Sequence, residues 1–154
     1  MLKGIHPALT PDLLWTLQAM GHGDVLAIAD RNYPAHGVHT RVHHLPGLDT
    51  VEAATAICTL LPIDTFVPVP AHRMVPDDWS DDQLKGALAD VDEPLGFASH
   101  DALASVLRAA EGRAVPIGPV RRTPFYRQAR EAFAVVTTTD DRPYSCFLLT
   151  KGVV

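Results

Sequence analysis

The chain is poor in the residues that usually announce a function. It has two cysteines, Cys58 and Cys146, in apolar surroundings and without the short spacing of a metal or redox motif. Free thiols in a cytoplasmic protein are the expectation. No apolar stretch approaches a membrane span, and the opening MLKGIHPALTPD has no hydrophobic leader core, so no membrane is expected as a partner. Basic residues cluster no further than Arg121-Arg122, and 18 acidic against 13 basic side chains leave a formal charge of −5. That balance argues against nucleic acid as a partner. HExxH, CxxC and EF-hand patterns are missing, as are a GxSxG elbow, a P-loop and a dinucleotide fingerprint. Neither a metal nor a cofactor is expected.

What is present is a chain of 154 residues with 47% hydrophobic side chains, enough to bury a core as one domain over 1–154. Thr10, Pro11 and Asp12 open a helix by capping, ring geometry and dipole, and Gly21 is expected to close it in a left-handed cap. Val25 to Ala29 is an apolar run too short for a helix and reads as a buried strand. A loop over 31–37 and a strand from His39 to Leu45 follow. Asp49 and Glu52 have capping-box spacing before a helix to about Leu61. Thr65 to Val69 is expected as an edge strand because of Pro68. A helix from Ser80 to Asp90 leads into a loop, DEPLGFA, and Ser99 is expected to cap a helix through Arg108. Ala114 to Ile117 reads as a strand, and Thr123-Pro124 as the start of a helix to Glu131. Phe133 to Thr138 and Tyr144 to Leu149 read as a closing antiparallel hairpin. The order predicts an α/β protein of three α/β/α layers with a mostly parallel mixed sheet.

Four stretches place polarity beside core elements. In Gly21-His22-Gly23-Asp24, two glycines let the backbone carry His22 close to a ligand, and imidazole suits proton transfer near neutral pH. The alternative is a helix cap whose histidine tops the core. Asp30 ends an apolar strand, where ligands of α/β sheets bind and where a carboxylate accepts hydrogen bonds from sugar hydroxyls; a capped turn is the competing reading. His36 is a weaker candidate in the loop that follows. Arg121-Arg122 reads by default as a solvated pair, with a ligand or a neighbouring subunit as the alternative contact of Arg122; Phe125 and Tyr126 after it are expected to pack beside Phe133. Tyr144 and Cys146 share one face of the last strand by alternation, and Ser145 lies on the other. His39, His43 and His44 read as a solvated group rather than a metal site.

With these residues the chain resembles the RbsD/FucU family of sugar mutarotases and pyranases, within it the L-fucose mutarotase branch. The resemblance runs from LKGIHPALTPDLLWTLQAMGHGD through AIADRNYPAH and LDTVEAATAICTLLPIDTF to FYRQAREAFAVVTTTDDRPYSCFLLTKGV. It implies a cofactor-free, metal-free enzyme that interconverts anomers of a free monosaccharide. It also implies a ring-shaped homo-oligomer, a decamer of two pentamers, with sites at subunit interfaces. The family histidine falls on His22, the strand-end aspartate on Asp30, the tyrosine on Tyr144 and the arginine on Arg122. The family's Tyr-Gly-Asn reads Tyr144-Ser145-Cys146 here, and a thiol lacks an amide's paired donor and acceptor. His72, Arg73 and Trp79, in the least familiar stretch, are expected to line a pocket altered for another sugar. A sugar-binding protein without catalysis is the alternative.

Overall fold

The computed structural model of the chain describes residues 2–89 and 96–154. The expected helix end at Asp90 and the first part of the DEPLGFA loop lie outside the described residues. The helices are α1 (Pro11–Ala19), α2 (Ala35–Val38), α3 (Thr50–Cys58), α4 (Asp81–Ala89), α5 (Ala98–Glu111) and α6 (Arg122–Arg130). The strands are β1 (Val25–Ala29), β2 (Val42–Leu45), β3 (Ala71–Val75), β4 (Ile117–Arg121), β5 (Ala134–Thr138) and β6 (Phe147–Thr150). One sheet forms in the order β2-β5-β1-β6-β3-β4, parallel except for β6, which runs antiparallel to both its neighbours. Alternate strand residues feed two cores. Leu26, Ile28, Val136, Phe147 and Leu149 pack under α1, α3 and α5. On the opposite face Ala27, Val135, Cys146 and Leu148 pack with Phe125 and Ala129 of α6 and Ala35 of α2. The result is the three-layer α/β/α architecture.

The strongest local signals give the expected elements. Thr10 Oγ1 accepts the Leu13 N–H, with Pro11 at the first helical position. The Asp49 carboxylate and the Glu52 side chain exchange hydrogen bonds with each other's backbone in a complete capping box.

Several expectations are corrected. The last strand is antiparallel but makes no hairpin with β5, because β1 lies between them. The stretch 65–69 carries no strand; pairing falls on Ala71–Val75, after Pro68 and Pro70. The strand expected at 114–117 is displaced to Ile117–Arg121. Gly21 is not a left-handed cap: α1 ends earlier, and the Lys151 ammonium donates to the carbonyls of Leu17 and Met20 at 2.8 and 2.6 Å. A cation there satisfies the helix end and its dipole together. Ser99 lies inside α5, buried, with its hydroxyl 2.9 Å from that of Ser145. Phe125 and Tyr126 belong to the α6 face, whereas Phe133 packs on the other core under the Arg41 guanidinium. The histidines at 39–44 are not simply solvated: His39 meets Tyr33, His43 meets Thr16 and His44 meets Thr137.

Arg73 is the largest departure from pattern. It is fully buried on the α5 face, where one guanidinium N–H donates to the Ile117 carbonyl at 2.9 Å and two nitrogens, Nε and Nη2, have no partner. Burial pulls its pKa down to about 10. Unpaired buried donors cost more than one hydrogen bond returns, so Arg73→Met is expected to raise stability by about 1–3 kcal/mol, read as a higher denaturant midpoint.

Candidate functional site

Candidate residues gather at two opposite ends of the sheet. The first group surrounds the carboxyl ends of the parallel strands. Asp30 follows β1 directly and is buried; its carboxylate accepts the Asn32 N–H at 2.9 Å. Burial pushes its pKa up, against hydrogen bonds that pull it down. Beside it the Cys146 sulfur accepts the Asp30 N–H at 3.4 Å. The thiol is 1% exposed and its pKa is raised by burial, so it acts as packing and as a backbone acceptor.

Tyr144 enters this end from the loop before β6. Its φ of 60° is left-handed, a strained conformation for a tyrosine that is expected to cost roughly 1–3 kcal/mol. Its carbonyl accepts from the His100 ring at 3.0 Å, and its own ring lies 5.4 Å from that of Phe97. Arg122 opens α6 at the same end and pairs with Asp77, which follows β3, at 2.9 Å. Asp77 also accepts the Thr123 N–H and hydroxyl, and these contacts hold its carboxyl below the usual range. Tyr126, one turn into α6, packs edge-on against Tyr33 at 5.3 Å, and burial raises the pKa of both hydroxyls, that of Tyr33 to about 12. The end therefore offers a desolvated carboxylate, an anchored guanidinium and tyrosine hydroxyls, the groups that recognise a polyhydroxylated ring.

His22 lies at the other end, before β1. Asp24 N–H donates to the Gly21 carbonyl, and Gly23 sits between them at a φ of 86°, so the tight turn needs glycine and leaves His22 projecting. Its ring is 40% exposed, and Nε2 is 3.1 Å from the buried Asp64 carboxylate. Phe66 packs against the imidazole edge-on, with ring centroids 5.0 Å apart. A groove of about 710 Å³ beside it is lined by Leu14, Gln18, His22, Leu60 and Lys151 among others.

From the strand rise of about 3.3 Å per residue, the length of β1 separates His22 from Asp30 by roughly 20 Å. The structure thus brings Asp30, Arg122, Tyr144 and Cys146 to one end and leaves His22 at the other. His72 faces the α6 side beside Gly118, half-buried, one register step from Met74. Arg73 points to the opposite core, away from Asp30. The Trp79 carbonyl accepts from Arg121, which ties β4 to the start of α4. Asp64, Tyr33 and Tyr126 were not singled out by the sequence pattern. Among the described residues no group of three His, Cys, Asp or Glu side chains converges as metal ligands would, and no helix is long and apolar enough to cross a membrane.

The profile of the RbsD / FucU transport protein family matches residues 3–154. An L-fucose mutarotase of Histophilus somni is 33% identical over 99% of this chain and 97% of its own length. The fucose mutarotase of Streptococcus pneumoniae, solved with L-fucose, superposes with a TM-score of 0.83 at 28% identity, covering 99% of each chain. FucU of Bifidobacterium longum gives the same TM-score at 32% identity and the same coverage.

Proposed function

The chain belongs to the RbsD/FucU family, and on that premise we propose that it is a mutarotase of a free aldose, L-fucose or a related sugar. The reaction opens and recloses the sugar ring. His22 takes the proton of the anomeric hydroxyl as the bond from the anomeric carbon to the ring oxygen breaks. Tyr144 protonates that oxygen, giving the open aldehyde. Rotation about the adjacent carbon–carbon bond presents the other carbonyl face, and the same transfers in reverse close the ring. Nothing is oxidised or reduced. Asp30 and Arg122 orient the hydroxyls. General acid–base groups contribute about 10²- to 10⁴-fold, which suffices for a step that water already allows.

One observation carries this reading: the proton-transfer histidine and the sugar-recognising groups stand at opposite ends of one sheet. A ring touched by both must lie between two subunits, with His22 supplied by one and Asp30, Arg122 and Tyr144 by its neighbour. The surroundings of His22 support such a contact. Leu60, Phe66 and Val67 are 41%, 70% and 40% exposed there, an apolar surface that association would cover. A head-to-tail contact of this kind forms a closed ring when its rotation closes, and we propose the decamer of two pentamers that the family resemblance implies. Two free, buried cysteines suit the cytoplasm.

Exchange NMR on L-fucose, D-ribose and D-galactose tests the proposal. Faster exchange between the anomers of one of them is expected; exchange at the uncatalysed rate for all three, under conditions where each binds, sinks it. The buried Cys146 thiol, standing where the resemblance calls for an asparagine, favours a second reading. A sugar-binding protein without catalysis would give saturation transfer but no faster exchange.

A further inference from the structure

Asp64 is a buried carboxylate with no role in the reading so far, and it lies against the proposed proton-transfer group. It is 2% exposed, whereas the imidazole it meets is 40% exposed. The same oxygen, Oδ1, lies 3.1 Å from His22 Nε2 and accepts the Phe66 N–H at 2.9 Å. The Phe66 N–H above all, and also the His22 ring, hold the Asp64 carboxyl below the usual range, so it is ionised at neutral pH. An ionised carboxylate only accepts hydrogen bonds, and the ring nitrogen facing it must carry the proton.

The backbone around Asp64 is fixed from three sides. Its N–H donates to the Thr150 carbonyl at 3.0 Å. Arg113 donates to its carbonyl at 3.3 Å and to that of Ile63 at 3.2 Å, and Glu111 accepts the Ile63 N–H at 2.9 Å. Gly152 packs so closely that a Cβ there would come within 2.8 Å of the Asp64 Cα. The turn bearing His22 is tied to the same strand end, since Gly23 N–H donates to the Lys151 carbonyl and Lys151 N–H to that of Asp24. Imidazole and carboxylate are thus mounted on one rigid piece, as pre-organised proton transfer requires.

We propose that Asp64 is the positioning residue of His22, holding it in the tautomer protonated on Nε2 so that Nδ1 exchanges the proton with the sugar. The inference rests on the mutarotase reading for its consequence in rate, but not for the tautomer itself. Long-range ¹H–¹⁵N correlation spectra of the unaltered protein at neutral pH are expected to show the neutral His22 ring protonated on Nε2. Asp64→Ala is expected to mix the tautomers and slow anomer exchange on the order of 10- to 100-fold, as when a partner that orients a functional histidine is removed, with half-saturating sugar concentration little changed. Asp64→Asn keeps an oxygen for Phe66 and His22 but loses the charge, and is expected to fall between. An Nδ1-protonated ring in the unaltered protein overturns the proposal. So does an Asp64→Asn or Asp64→Ala rate equal to the unaltered one while His22→Ala is inactive. If His22→Ala is fully active, the mutarotase reading of His22 fails instead, and the spectrum still decides the tautomer.

Discussion

His22→Ala is expected to slow anomer exchange by about 10²- to 10⁴-fold, the range that one general acid–base group supplies, while the protein unfolds at nearly the same temperature. The ring is 40% exposed and its removal leaves the Asp64 carboxylate still bonded to the Phe66 N–H. A loss of rate without loss of fold separates chemistry from support. Asp30→Asn is expected to be similarly slow, because the buried carboxylate cannot be replaced by an amide without a changed donor pattern. The two variants lie at opposite ends of the sheet, which makes their mixture informative. Refolded together in equal amounts, they are expected to regain about a quarter of the unaltered rate, since that share of random neighbour pairs joins an intact His22 to an intact Asp30. No recovery in mixed assemblies would mean that the two groups do not serve one shared site.

The second large effect concerns stability. Asp140 is buried after β5 and accepts from the Thr50 N–H and hydroxyl at 3.0 and 2.7 Å. Arg142 adds its N–H, Nε and Nη2 at 2.9, 2.9 and 2.7 Å, and its guanidinium reaches on to Asp49, the cap of α3. The Asp140 carbonyl also accepts the Arg31 N–H, so one residue joins the loop after β1, the turn after β5 and the start of α3. Asp140→Ala is expected to cost about 2–4 kcal/mol, because it strands the buried Thr50 N–H and hydroxyl, while the Arg142 guanidinium, 38% exposed, keeps Asp49.

The same site sets an acid limit. Burial raises the Asp140 carboxyl pKa, but the donors from Arg142 and Thr50 outweigh it and hold it far below the usual range. A depressed folded pKa contributes stability that is complete above the unfolded value, near 3.9, and is lost as pH falls towards the folded one. Asp64 and Asp77 are shifted the same way, and Asp30, raised by burial, the other. Denaturant midpoints are therefore expected to drop between about pH 4 and pH 2. Asp140→Asn should flatten that drop; an unchanged pH slope would show that Asp140 does not control it.

Where a chain signal and its structural consequence are neighbours, the sequence was readable. Thr10-Pro11-Asp12 and Asp49 with Glu52 each act within one helical turn, and the apolar runs of β1 and β5 need no partner to be recognised. Asp30 was marked by its place at the end of an apolar strand, whereas Arg122 and Tyr144 were given site roles through the family resemblance; the structure brings all three to one end of the sheet. The strand Ala71–Val75 was not. AHRMV looks too polar for a central strand, and its place is decided by β4 and β6, not by its own composition. The hairpin expectation failed because β5 and β6 are close in sequence, yet β1 fits between them. Asp64 was invisible for the plainest reason: its partner is 42 residues away, and nothing in PIDTF marks the aspartate as anything but a turn former.

Closure of the sheet depends on β6. It follows every other strand in the chain, yet it sits between β1 and β3 in the middle of the sheet. Without β6 the remaining strands fall into two sets, β2-β5-β1 and β3-β4, each with an edge that has no partner. Both ends of the candidate site wait for the same strand. Tyr144 and Cys146 lead into it, and Lys151 and Gly152, which fix the His22 turn and Asp64, follow it. Pairing of β6 therefore joins the two sets of strands and completes both ends of the candidate site together.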